Sequence, residues 1–182
     1  MSSFYTRSGD EGTTGILGEG RLNKDDARIE TLGVLDELSS VLGVARATSN
    51  LEKIKDVLIH VQRDLFGLMA ELAATAQTIE RFRYLGETQI LWLENCISAL
   101  ETDVTVPSYF ILPGDSPAAA ALDLARTVTR RAERRAVTLA RLSENDMVLV
   151  LRYLNRLSSL CYILELYEIK QSGLKTTPAR GA

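Results

Sequence analysis

Apolar residues recur every three or four positions along almost the whole chain, and the residues that would interrupt that period are few. Of four prolines in 182 residues, Pro107 and Pro113 bracket the middle, Pro117 follows a serine, and Pro178 stands near the end. A period of this kind puts the apolar side chains on one stripe of a helix, so several long helices sharing a core are what the chain can reach. Ile29, Leu32, Leu35, Leu38, Leu42 and Ala45 outline a first helix over about residues 24 to 48, with Asn23 as its candidate N-cap and Asp25 and Asp26 in the first turn. Leu51, Ile54, Leu58, Val61, Leu65, Leu68 and Leu72 predict a second, closing at about residue 78 near "RFRYLG". Ile90, Leu93, Ile97 and Leu100 outline a shorter third, after which "VPSYFILPGDSP" breaks the period as a structured loop. Ser116 followed by Pro117 reads as an N-cap with proline at the first helical position, opening a fourth helix to about residue 142. "SEND" at 143–146 fits a capping box, and Val150, Leu151, Leu154, Leu157, Cys161 and Leu164 stripe a fifth. The reading is one all-α domain over 1–182: a glycine-rich N-terminal loop at 1–22, a five-helix bundle at 23–172, and a frayed, flexible tail at 173–182.

Charge and composition exclude several classes. A net charge of −3 and a pI near 5.3 give the chain as a whole no attraction to nucleic acid or an anionic membrane, so any basic site is local. No apolar run of about 18 residues occurs and the start is polar from Ser2 onward, which predicts a cytoplasmic protein. Cys96 and Cys161 sit singly inside apolar patterns and predict buried thiols in a reducing compartment, with neither a disulfide nor a metal site. His60, the single histidine, reads as a surface or partly buried side chain and not a ligand, and Trp92 as packing or a subunit contact.

Two features remain that this bundle does not need for folding. On the fourth helix Arg126, Arg130 and Arg134 lie at i, i+4 and i+8, with Glu133 beside them and Arg131 and Arg135 flanking. Such a stripe is either a solvated face of internal ion pairs or an anion site, since guanidinium forks match phosphate oxygens and keep their charge in a partly dry cleft. The second is "YTRSGDEGTTG" at 5–15. Gly9, Gly12 and Gly15 let backbone amides approach an anion, Thr6, Ser8, Thr13 and Thr14 offer hydroxyls, and Arg7 and Lys24 add positive charge. Asp10 or Glu11 could help hold Mg2+ among phosphate oxygens. The segment is not a Walker A motif, because it lacks the terminal Gly-Lys-Ser/Thr and its βαβ setting. Taken alone it is equally a terminus with turn-forming glycines.

Together, "YTRSGDEGTTGILGEGRLNKDD", "GVLDELSSVLG", "FILPGDSPAAAALDLARTVTRRAERR" and "YLNRLSSLCYIL" resemble, in this order and over nearly the whole chain, the PduO-type ATP:cob(I)alamin adenosyltransferases. The resemblance implies a homotrimer of five-helix bundles with ATP at the subunit interface, in which the cobalt(I) of a reduced corrinoid attacks the 5′ carbon of ATP and expels triphosphate. It implies that Thr6, Arg7, Ser8, Gly9, Thr14 and Gly15 wrap the triphosphate, with Lys24 reaching in from the first helix. Arg130 is the leading catalytic residue, stabilising the leaving triphosphate with Arg134, the neighbouring Arg131 and Mg2+. Asp36 and Arg126 match an inter-subunit salt bridge, Glu133 and Asn155 match positions that orient ATP, and Phe110 matches an aromatic residue at the lower face of the cobalt.

The chain departs from the family pattern at Asp115, Asp123, Ser159, Cys161, Tyr162 and Glu165, all toward the corrinoid side, while the ATP positions are intact. Two other classes compete with the enzyme: a non-catalytic ATP- or corrinoid-binding bundle with a sensing or chaperone role, and a helical scaffold whose arginines bind an acidic partner. A cobalamin reductase and an adenosylcobalamin-dependent acceptor enzyme are the partners the reaction would require.

Overall fold

The computed structural model describes residues 4–5, 7–142 and 146–180. Five long helices carry the fold, and they follow the apolar stripes of the sequence: α1 (Ala27–Thr48), α2 (Glu52–Ala73), α4 (Glu87–Glu101), α5 (Pro117–Leu142) and α6 (Val148–Gln171), with a one-turn α3 (Ile79–Phe82) before α4. Around them lie two small antiparallel pairs, β1 (Thr13–Gly15) with β2 (Arg21–Asn23) and β3 (Ile111–Leu112) with β4 (Thr177–Pro178).

At the centre of the bundle α5 packs against α1 on one side and α6 on the other, while α2 lies on α1 and α4 on α6. The buried face of α5 is mostly small, with Ala118, Ala119, Ala121, Ala125, Ala132 and Ala136 alongside Leu122, Val128 and Leu139. Small side chains let two neighbours approach one helix closely. Leu35, Leu38 and Leu42 of α1 and Leu154, Leu157, Leu160 and Leu164 of α6 fill the space beside it. One buried carboxylate crosses the apolar layer: Asp64 of α2 accepts hydrogen bonds from the Tyr84 hydroxyl at 2.7 Å and the Tyr153 hydroxyl at 3.0 Å, tying α2 to α6. His60 stacks flat on Trp92 with ring centroids 3.7 Å apart, so both are packing residues.

Several boundaries differ from the sequence expectation, and each has a cause outside the helix concerned. The first helix starts three residues late because Asn23 pairs with Thr13 in the hairpin and the Lys24 amide donates to the Gly12 carbonyl at 2.8 Å. The N-cap is therefore Asp26, whose Oδ1 accepts from the Arg28 amide at 2.8 Å. The second helix stops at Ala73 instead of about 78, since the Ala73 carbonyl accepts the Leu17 amide of the N-terminal segment at 2.8 Å and the chain turns away through Thr75 and Thr78. Ser116 caps α5 as expected, accepting from the Ala119 amide at 3.0 Å. The capping box at 143–146 rests on Ser143 and so lies outside the described residues; Asp146 accepts from the Val148 amide at 2.9 Å. Within the segment expected as a flexible tail, Thr177 and Pro178 form β4 against Leu112 and Ile111 of the loop before α5.

Candidate active site

Residues 7–23 form a hairpin with a turn-rich lead-in. Arg7 sits at φ 59° and Gly12 at φ 78°, left-handed positions that fold residues 7–12 into successive turns. The Asp10 amide donates to the Arg7 carbonyl and the Gly12 amide to the Gly9 carbonyl, both at 3.2 Å. Gly18 is also required: at φ 147°, a side chain there would meet Thr75 Oγ1 at 2.4 Å, where the hairpin lies against the end of α2. Lys24 is on the turn after β2 and not on the first helix, and its Nζ lies 3.2 Å from where a Gly9 side chain would begin. A side chain at this position would crowd the ammonium as it folds over the turn. Arg7, Ser8, Gly9, Thr14, Gly15 and Lys24 thus share this one hairpin; Thr6 lies outside the described residues.

The residue that organises this hairpin was missed in the sequence reading. Arg21 on β2 donates from Nε to Thr13 Oγ1 at 2.9 Å and from Nη2 to the Ser8 carbonyl at 2.7 Å and the Thr13 carbonyl at 3.0 Å. The local signal was slight: Thr13 and Thr14 are β-branched, and the connection to Arg21 contains Gly18 and Gly20.

The arginines of α5 divide into two groups. Arg131 pairs with Glu37 and Arg135 with Glu30 at 3.3 Å, both across to α1, so these belong to the bundle. Arg131, expected beside a phosphate, here faces Glu37 of α1. Arg126 donates from Nε and Nη2 to Asp123 Oδ1 at 2.8 and 2.7 Å, one turn back on its own helix. Within one chain it does not meet Asp36, which stands exposed on α1. Of the six arginines on α5, Arg130, Arg134 and, at its far end, Arg141 have neither an ion pair nor a side-chain hydrogen bond among the described residues, and all three are exposed. Beside Arg130 and Arg134, Asn155 of α6 donates to Glu133 Oε1 at 3.3 Å and accepts from Arg156 at 3.3 Å, which fixes the amide's orientation.

A cleft of about 670 Å³ opens between the Val106–Ile111 loop, α4, α5 and α6. Phe110, Arg126 and Arg130 all line it, and so do Asp123, Ser159 and Tyr162. The Phe110 side chain is 89% exposed, so it is not a core anchor for its loop. Behind the wall Glu165 is 1% exposed, and its Oε2 has no hydrogen-bond partner. Burial, then the nearby Asp123 charge, push its carboxyl up to about 7 against the opposing pull of Arg126. Cys161 is buried and its thiol is pushed up to about 12, chiefly by burial, as an unreactive core thiol.

None of the hairpin residues lines this cleft. Leu22 of β2 sits with Leu139 and Leu142 at the far end of α5, about 14 Å along the helix from Arg130 at 1.5 Å per residue. Arg130 and Arg134 occupy the stretch between, so α5 carries free positive charge from the cleft rim toward the hairpin. Among the described residues no three His, Cys, Asp or Glu side chains come together in a way that could hold a metal ion. No helix among them is long and apolar enough to cross a membrane.

Residues 4–168 match the family pattern described as Cobalamin adenosyltransferase. The chain is 43% identical over 160 residues to a corrinoid adenosyltransferase of Bacillus subtilis, covering 85% of this chain and 80% of that one. It is 38% identical over 180 residues to a corrinoid adenosyltransferase of Citrobacter freundii, covering 98% of each. Among solved structures it resembles a Phe-to-Ala variant of a PduO-type ATP:corrinoid adenosyltransferase from Lactobacillus reuteri complexed with cobalamin and ATP. The TM-score is 0.90 at 34% identity, over 98% of this chain and all of that one. An Arg-to-Lys variant from the same organism, complexed with ATP, superimposes with a TM-score of 0.87, also at 34% identity, over 97% of this chain and 99% of that one.

Proposed function

The chain belongs to the cobalamin adenosyltransferase family, and on that premise we propose how its residues divide the work of moving the 5′-deoxyadenosyl group of ATP onto the cobalt(I) of a reduced corrinoid. Cobalt(I) supplies the electron pair of the new cobalt–carbon bond, the bond from C5′ to the triphosphate oxygen breaks, and the triphosphate leaves with that bond's electrons. Its added negative charge is what the protein has to stabilise. The hairpin amides around Gly9, Gly12 and Gly15 cradle the phosphates with Lys24 and Arg7, and Arg130 and Arg134 neutralise the departing end. Glu133 and Asn155, held together on facing helices, present an acceptor and a donor that orient the nucleoside.

The cleft takes the corrinoid, with Phe110 against the cobalt's lower face. Asp10 or Glu11 would hold Mg2+ beside the phosphate oxygens, and the ion would supply positive charge to the leaving triphosphate. The separation of hairpin and cleft along α5 supports a site completed by a second copy, as in a homotrimer. There Asp36 of one subunit would compete with Asp123 for Arg126 of the next. A cobalamin reductase upstream and an adenosylcobalamin-dependent acceptor downstream complete the scheme.

The observation that carries this reading is Arg130: it stands on the cleft rim without an ion-pair partner while Arg126, Arg131 and Arg135 are all neutralised. A guanidinium kept free beside three that are paired is available to a ligand anion. An anaerobic assay of ATP with reduced cobalamin, followed by decay of the cobalt(I) absorbance, tests it. Arg130→Ala should lose about 2–4 kcal/mol of transition-state stabilisation with an unchanged helical fold. Wild-type rates would refute the assignment.

A further inference from the structure

Phe110 presents a contradiction in physical terms. A ring that has to meet a ligand at a defined place is almost wholly in solvent, and its neighbours Val106, Tyr109 and Leu112 are also exposed, at 59%, 47% and 48%. Core packing therefore does not fix this loop. What fixes it is the other end of the chain. Ile111 and Leu112 pair with Pro178 and Thr177. The Ala179 amide donates to the Phe110 carbonyl at 2.7 Å. Thr177 grips Asp115 with two donors, its hydroxyl to Oδ1 at 2.6 Å and its amide to Oδ2 at 3.2 Å. The Tyr109 and Thr176 hydroxyls share a hydrogen bond at 2.9 Å. Asp115 immediately precedes Ser116, the N-cap of α5, so the clasp is anchored to the start of the central helix.

We propose that the segment Thr176–Ala179 is a positioning element of the corrinoid cleft, clasping the Val106–Leu112 loop through Tyr109, Phe110 and Asp115 so that the Phe110 ring is presented at the cleft wall. The inference rests on the reading of that cleft as the corrinoid site. A two-residue strand pair is marginal by itself, and the proline at its end has no amide to extend the ladder, so the clasp is a local, separable device and not part of the bundle's stability. Its hydrogen bonds among the described residues go to Tyr109, Phe110 and Asp115, on the loop that borders the cleft.

The test compares the full chain with a truncation ending at Leu174, with Thr177→Val, which deletes the hydroxyl, and with Thr177→Ser, which restores it. KM for cobalamin supplied as cobalt(II) and reduced on the enzyme, KM for ATP, kcat and melting temperature are read for each. The truncation should raise the cobalamin KM or lower kcat about tenfold or more, as misplacement of a positioning group does, with the ATP KM and melting temperature unchanged. Thr177→Val should move the same parameters in the same direction, and Thr177→Ser should recover them. In a double-mutant cycle the truncation should have no further effect on a Phe110→Ala background, because it acts through that ring. Unchanged corrinoid kinetics in the truncated enzyme, or equal losses toward ATP and corrinoid, or full additivity with Phe110→Ala, would each overturn the proposal. If Phe110→Ala itself leaves corrinoid kinetics untouched, the cleft reading fails and the clasp's role fails with it.

Discussion

Glu165→Gln should stabilise this protein at alkaline pH and have little effect in mild acid. The Glu165 carboxyl is buried in α6 with Oε2 lacking any partner, and Asp123 and Asp115 add negative potential that Arg126 only partly offsets. Its pKa rises from 4.5 to about 7. Between those values the native chain holds a proton that the unfolded chain has released, so this group's contribution is fully present below pH 4.5. It is lost as pH climbs through 7, and is level above that. At 1.36 kcal/mol per unit the ionised side chain costs the fold about 3 kcal/mol above pH 7.5, an upper figure given the nearby Arg126. The glutamine amide is isosteric with the acid and never ionises. Guanidinium denaturation of both proteins at pH 5, 6, 7 and 8, at one fixed protein concentration, should show the variant gaining up to about 3 kcal/mol at pH 8 and less than about 1 kcal/mol at pH 5. A gap that does not vary with pH would refute the reasoning, since a packing effect has no titration. A gap that widens toward acid would reverse its sign.

Phe110→Ala should leave the melting temperature unchanged, because an 89% exposed ring contributes little burial. The same variant should fail when cobalt(II) must be reduced on the enzyme, yet keep substantial activity with chemically prepared cobalt(I). A ring that clears the lower axial donor matters only for the reduction; equal losses in both assays would refute that role. Arg21→Ala removes three hydrogen bonds that hold residues 8 and 13 together and should weaken ATP binding about tenfold or more at unchanged helix content, measured by calorimetry and circular dichroism. Asp64→Ala should destabilise by about 2–4 kcal/mol, as it strands the fully buried Tyr153 hydroxyl and opens a cavity; a loss under about 1 kcal/mol by denaturant titration would show that water replaces the carboxylate.

Helix existence was legible in the chain because each of the five long helices runs 15 residues or more, long enough for one period to outweigh local exceptions. The Ser116–Pro117 start of α5 was equally plain, since an N-cap acts within one turn. Candidate site residues stood out locally in "YTRSGDEGTTG" and in the run of arginines on α5, whereas Phe110 was singled out only by the resemblance to a family. Which arginine remains available was not legible. Arg126, Arg130, Arg131, Arg134 and Arg135 are chemically identical in sequence, and only the packing of α5 on α1 assigns Arg131 to Glu37 and Arg135 to Glu30. Helix ends at Ala27 and Ala73 were likewise decided from elsewhere, by a hairpin that takes Asn23 and the Ala73 carbonyl for itself. The same holds for residues 176–179, which a local reading leaves free and the fold joins to Asp115 across 62 positions of sequence. Apolar periodicity is a local property that each segment carries with it, whereas a hydrogen bond or ion pair between distant segments exists only once a shared core has brought them within about 3 Å of each other.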